Sequence, residues 1–244
     1  MLIPGLVSVT FRQLTIPEIG ELALECGLQA VEWGGDVHVP PGDFAAARQA
    51  LDTGLKVAAY GSYYRAGVSD RADLATILET AAELDAPLVR VWAGTSGSAE
   101  CPDRGPVIEA LQHAVEHADA MGTRIALEYH RNTLTDTLES AVQLLDEVDG
   151  VVPYWQPRGG QDVFSAVHEV RTLEPVTAHV FSWGSGGYQD RLPLSARRDL
   201  WKPVLTELAR DGIERNALLE FVIDDSPEQF REDAKTLLSY LKGS

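Results

Sequence analysis

The sequence predicts an α/β protein built as one closed (β/α)8 barrel, and three observations carry that prediction. Short apolar, β-branched runs alternate along the chain with longer segments of helical periodicity. There are eight such runs, and 244 residues divided among them give about 30 residues per repeat, the size of a βα unit. The alternation is strict, which calls for parallel strands, and eight parallel strands close on themselves. A doubly wound open sheet is the structural alternative; against it, no G-x-G-x-x-G follows the first run. No linker or low-complexity stretch divides the chain, so residues 1–244 are expected to form a single domain.

The expected strands are GLVSV (5–9), AVEWG (30–34), KVAAYG (56–61), LVRVWAG (88–94), RIALEYH (124–130), VVPYWQ (151–156), VTAHVFSW (176–183) and ALLEFV (217–222). Between the first two, Ile16, Ile19, Leu22, Ala23 and Cys26 recur at helical spacing, with Thr15 before them and Gly27 after. The same start and stop signals bracket Asp43 to Gly54 and Gly105 to Gly122. ADLATILETAAELDA and DTLESAVQLLDEV are amphipathic on the same period. The last helix opens with Ser226 as cap and Pro227 in its first turn. RTLEPV, ARRDLW and FREDAKT read as solvated helix faces, and Tyr63 and Tyr64 as exposed aromatics.

Hydrophobic residues make up 45% of the chain, enough for a full core. The formal net charge of −17 repels nucleic-acid phosphates and anionic membranes. Neither nucleic acid nor membrane is therefore an expected partner, while the net charge says little about a small-molecule substrate; Tyr63 and Tyr64 are available for a pocket or for the interface of a homo-oligomer. No apolar run approaches membrane-spanning length, and MLIPGLVSVTFRQ lacks the basic and apolar regions of a signal peptide. Two cysteines, Cys26 and Cys101, imply no disulfide framework, so a cytoplasmic location is expected.

Alternation along each strand sorts the polar residues. Outward side chains of a parallel barrel lie under helices and are apolar, while inward ones near the C-terminal strand ends line the mouth. Sorted this way, Glu32, Tyr60, Trp92, Glu128, His130, Gln156, His179 and Glu220 face inward. Burying each of them alone is costly. A divalent cation would satisfy carboxylate oxygens, an imidazole nitrogen and an amide oxygen together. The plainer alternative is that these groups pair with one another, or that a carboxylate bridges to Arg90 or Arg158.

ALEYH on strand 5, TAHVFSW on strand 7 and LLEF on strand 8, in that order over eight units of matching size, resemble the xylose-isomerase-like barrel superfamily. The resemblance is to its sugar phosphate isomerase/epimerase group, with ketose 3-epimerases, hydroxypyruvate isomerase and inosose dehydratase as relatives. It implies metal-ligand roles for Glu128, His179 and Glu220. It also implies a divalent metal cofactor: Mn, Mg, Co or Zn. The ketose epimerases usually supply an aspartate from strand 6, where this chain has Gln156. Gln156 is the expected fourth ligand, an oxygen donor without charge. Asp162, six residues on, belongs to the loop or the next helix.

The implied activity is isomerisation or epimerisation of a ketose or related polyol through a metal-stabilised enediolate. Glu128 and Glu220 would exchange the proton on opposite faces. Glu32, His38, Tyr60, Trp92, His130 and Arg158 are the expected substrate contacts. The glycines of GSGG (184–187), with Arg191, form a further candidate cradle for a phosphate. Three other readings share the scaffold. A lyase of the inosose dehydratase kind would use the same metal site. A phosphodiesterase resembling endonuclease IV would need more histidines than His130 and His179 and a less acidic surface. A non-catalytic barrel would carry Gln156 as the trace of a lost site.

Overall fold

The structure, a computed structural model, describes residues 1–242. Its barrel strands are β1 (Leu2–Val7), β2 (Ala30–Gly34), β3 (Lys56–Ala66), β4 (Leu88–Ala93), β5 (Arg124–Glu128), β6 (Val152–Trp155), β7 (Thr177–Val180) and β8 (Arg215–Leu219). Eight main helices alternate with them: α1 (Ile16–Glu25), α2 (Phe44–Leu51), α3 (Arg71–Glu83), α4 (Gly105–Ala120), α5 (Leu138–Glu147), α6 (Val163–Leu173), α7 (Arg198–Ala209) and α8 (Pro227–Leu241). Each strand neighbours those before and after it in sequence, and β1 pairs with β8 to close the barrel. After β7 a two-stranded ribbon, Ser182–Trp183 against Arg191–Leu192, forms outside the barrel. No helix among the described residues is long and apolar enough to cross a membrane.

Several helices begin where side chains satisfy their first amides. Thr15 and Glu18 form a capping box on α1, Asp43 accepts from Ala46 N, and Ser226 from Gln229 N. Contacts gather into two compact units. One comprises Met1–Glu32, Thr53–Lys56 and Trp155–Ser244; the other comprises Trp33–Asp52 and Val57–Tyr154. In the first, β1 pairs in parallel register with β8 and with β2, and β8 with β7. Its core includes Phe11 against Phe230 at 5.1 Å and Trp155 against Trp201 at 6.1 Å between ring centroids. In the second, β3 to β6 form a continuous parallel ladder.

Three of the expected solvated segments turn a face inward. Leu173 and Pro175 of RTLEPV, Leu200 and Trp201 of ARRDLW, and Phe230, Asp233 and Ala234 of FREDAKT are buried. A six- or seven-residue window dense in charge hides an apolar stripe that its whole helix displays. Tyr63 is exposed as expected, whereas Tyr64 is buried. Strand β3 runs on to Ala66, and alternation sends the two tyrosines to opposite faces.

Asp233 illustrates the energetics of such a face. Its Oδ1 accepts from Leu194 N at 2.8 Å and from Gln229 Nε2 at 3.0 Å. Burial pushes its carboxyl above the usual aspartate range, outweighing those donors. A carboxyl raised in the folded state contributes most below its unfolded pKa, and that contribution falls as pH rises through the folded value. Asp233→Asn keeps the accepting oxygen and removes the titration. Its melting temperature relative to wild type is therefore expected to rise between about pH 4 and about pH 8, measured by thermal denaturation. A constant difference across that window would refute this account of Asp233.

Candidate active site

In the first unit, three titratable side chains meet. Glu32 lies in β2, aligned with Val7 of β1, and His179 lies in β7, aligned with Leu218 of β8. Glu220 follows β8, and its backbone N–H extends the ladder to Val180 O at 3.1 Å. The His179 Nε2 stands 3.1 Å from Glu32 Oε2, and its Nδ1 stands 3.4 Å from Glu220 Oε2. Their side chains are 1%, 0% and 6% exposed, so solvent screens little of this charge.

Donor counting constrains the cluster. A neutral imidazole has one donor and one acceptor nitrogen, and an ionised carboxylate only accepts. Two carboxylates facing both ring nitrogens are satisfied when the imidazole carries both protons, or when one carboxyl is protonated. Immediately after Glu220, Phe221 takes a left-handed backbone, φ +53°. A bulky residue there costs about 1 kcal/mol or more. Phe221 packs on Phe181 at 5.4 Å, Trp183 at 5.3 Å and Tyr188 at 5.5 Å, contacts that hold the turn.

In the second unit, Glu128 ends β5. Arg90 and Trp92, two apart on β4 and so on one face, both donate to its Oε2, each at 2.5 Å. The Arg90–Glu128 pair is buried, at 4% and 6% side-chain exposure. Trp92 is also the hub of a ring cluster. The ring of Tyr63 lies 5.2 Å away, that of His130 5.6 Å, and the Arg65 guanidinium stacks 4.3 Å from the Trp92 centroid. Tyr60 is buried, its hydroxyl donating to Val39 O at 2.8 Å, and burial pushes its phenol above the usual range. His38 is buried edge-on to Trp33, at 6.2 Å between centroids.

Past β6, the alternation is fixed by Trp155. Its Nε1 donates to Glu169 of α6 at 2.9 Å, and its ring meets Trp201 of α7, so it points to the helices. Gln156, the next residue, lies just past the strand end and is half-buried. Arg158 reaches Glu169, as does Gln161 Nε2 at 2.7 Å. Asp162 is spent on capping α6, accepting from Phe164 N and Ser165 N, each at 3.0 Å. In the glycine loop, Asp190 Oδ2 accepts from Gly186 N at 3.3 Å, and Arg191 donates to Val222 O and to Asp225. The chain's own carboxylates thus take both parts of the expected phosphate cradle.

The structure therefore brings Glu32, His179 and Glu220 together, joins Glu128 to Trp92, and sets His130 against Trp92. Tyr60, His38 and Arg158 each meet another residue of the chain: Val39, Trp33 and Glu169. Among the described residues, no three His, Cys, Asp or Glu side chains take up a metal-holding geometry. In the Glu32–His179–Glu220 cluster, Nε2 of the ring is within hydrogen-bond distance of Glu32 Oε2, while Nδ1 makes a longer, 3.4 Å contact with Glu220 Oε2. The donor chemistry, hard oxygens with one imidazole, nonetheless fits a divalent cation in place of the proton. Arg65 and Asp190 carried no sequence signal beyond an aromatic stretch and a polar loop.

Comparison with known proteins completes the picture. The probable 3-DHS dehydratase AsbF of Bacillus anthracis, involved in petrobactin synthesis, superposes with a TM-score of 0.80 at 19% identity, over 98% of this chain and 99% of that one. A xylose isomerase domain protein from Planctomyces limnophilus gives 0.74 at 16% identity, over 99% and 96%. An L-ribulose 3-epimerase gives 0.73 at 14% identity, over 99% and 95%. At these identities each likeness is one of fold. No curated protein matches the chain by sequence. The model of the xylose isomerase-like TIM barrel family matches residues 21–157, more than half of the chain, which therefore belongs to that family.

Proposed function

We propose that the protein is an isomerase or epimerase of a ketose or related polyol, moving a proton at the carbon beside a carbonyl. The observation that carries this reading is the buried His179 between Glu32 and Glu220. Such a cluster is costly to maintain for stability alone. It suits a site where negative charge develops on a substrate oxygen and a carboxylate must hold and release a proton.

His179 and Glu220, with Glu32 on the other ring nitrogen, are the residues that would hold a divalent cation. Glu128 and Gln156 are the further ligands the sequence offers. When bound, such a cation polarises the carbonyl and lowers the cost of the enediolate. Glu128 and Glu220 are the two carboxylates that the sequence offers for taking the proton from carbon and returning it. Arg90 and Trp92, donating to one oxygen of Glu128, fix that carboxylate's orientation. His130, set against the Trp92 ring, offers a flat surface for the apolar face of a sugar.

The test is turnover of a ketose panel in deuterated water with added Mn, Mg, Co or Zn, read by NMR. Deuterium is expected at a carbon beside the carbonyl of each sugar converted. Conversion without any solvent deuterium would sink proton-transfer isomerisation. A dehydratase among the similar structures supports a second reading, in which the same enolate expels a β-hydroxyl. Growth of an enone absorbance, with no epimer formed, would select it.

A further inference from the structure

Arg65 stands at the C-terminal end of β3, in register with Trp92 of β4. Its guanidinium lies on the Trp92 ring at 4.3 Å, and of its five N–H donors one is used, by Gly94 O at 3.2 Å. The side chain is half-buried. Every other arginine that is not exposed has a carboxylate partner among the described residues: Arg90 with Glu128, Arg104 with Glu147, Arg191 with Asp225, Arg197 with Asp199 and Arg215 with Asp211. Among the described residues Arg65 has none within ion-pair distance, in a chain of net charge −17.

That exception has a physical meaning. An acidic protein has many carboxylates with which to neutralise a half-buried cation, and here it leaves one unneutralised. Glu128, bonded to the same Trp92, is matched by Arg90, so the pair contributes no net charge. Arg65 therefore gives this cluster a local excess of about one positive charge, held rigidly by stacking and by Gly94. One guanidinium edge matches one carboxylate, bidentate and charge for charge. A phosphate wants more donors than this, and the glycine loop that would add them is filled by Asp190.

We propose that Arg65 binds a carboxylate of the substrate, so that the site takes a sugar acid or acidic polyol in preference to a neutral ketose. The proposal rests on the reading of this barrel as a polyol-transforming enzyme, and names its substrate class.

Calorimetric titration with D-gluconate, D-sorbitol and D-sorbitol 6-phosphate tests it, since the three share one carbon skeleton. Wild type is expected to bind gluconate about tenfold or more tighter than sorbitol. Arg65→Met should erase that preference while leaving sorbitol affinity unchanged. Arg65→Lys, which keeps the charge but not the fork, should retain part of it. Circular dichroism confirms the fold of each variant, and the lysine variant carries the test should the methionine variant not fold. Equal affinity of wild type for gluconate and sorbitol would overturn the proposal. So would a preference surviving in Arg65→Met, or tighter binding of the phosphate than of gluconate. Deuterium exchange scored in parallel separates the two readings. A carboxylate preference without exchange sinks proton transfer and leaves Arg65 standing; exchange on a neutral ketose without that preference does the reverse.

Discussion

Arg90→Met will lower stability by about 3–5 kcal/mol. For a chain of this size that is a fall in melting temperature of roughly 6–20 °C. The pair it breaks is almost fully out of solvent, with Arg90 Nη1 at 2.5 Å from Glu128 Oε2. Methionine fills a similar volume but leaves a buried carboxylate that still accepts from Trp92 Nε1 and has lost its guanidinium. The cost is thus mainly that of an uncompensated charge, not of lost packing. The double variant Arg90→Met with Glu128→Gln removes the charge as well, and should recover a large part of the loss. Urea and thermal unfolding of all three chains measure both quantities. A single-variant loss below about 1 kcal/mol would mean that solvent reaches the pair and that the contact does not fix Glu128.

Glu220→Gln will reduce turnover by about 10²–10⁴-fold, the range for removing a positioned acid or base, while the protein stays folded. Glutamine preserves the size of the side chain and the backbone turn at Phe221, so the loss falls on kcat. Glu32→Gln acts through His179, since Glu32 orients the imidazole from its other nitrogen. A partner of that kind is worth about 10–100-fold. The expected order is therefore Glu220→Gln well below Glu32→Gln, with wild type highest. Equal small losses in both variants would refute a proton-transfer role for Glu220 and leave the cluster a structural one.

The architecture was legible because period and punctuation agree along the chain. AVEWG matches β2 residue for residue, and Thr15, Asp43 and Ser226 cap the helices that they announce. Strand ends were less so. Residues 129 and 130 were expected in strand 5, which ends at Glu128, and residues 62 to 66 were not expected in β3. The second error hid Arg65: Tyr63 and Tyr64 favour strand, but Gly61 before them reads as a stop.

Parity sorts candidates for the inward face, yet it does not say which of them touch. Glu32 and His179 lie 147 residues apart, and their meeting depends on side-chain direction across the barrel. Arg90 and Glu128 were foreseeable as partners because β4 and β5 are neighbours in sequence and space. Gln156 was expected as the last residue of strand 6, which ends one residue earlier, at Trp155. Arg158, next but one, is instead drawn to Glu169, whose burial no local pattern announces.

Trp92 joins two of these features, because its N–H ends on Glu128 while its ring carries the Arg65 guanidinium. The indole excited state is sensitive both to a charge over the ring and to a hydrogen bond at nitrogen. Three of the five tryptophans, Trp33, Trp155 and Trp201, are fully buried, which leaves Trp92 and Trp183 within reach of a quencher or a ligand. With Trp183 replaced by phenylalanine, the quenchable part of the emission belongs to Trp92. The chain then carries its own optical probe, and occupancy beside Glu128 can be followed in milliseconds without a label.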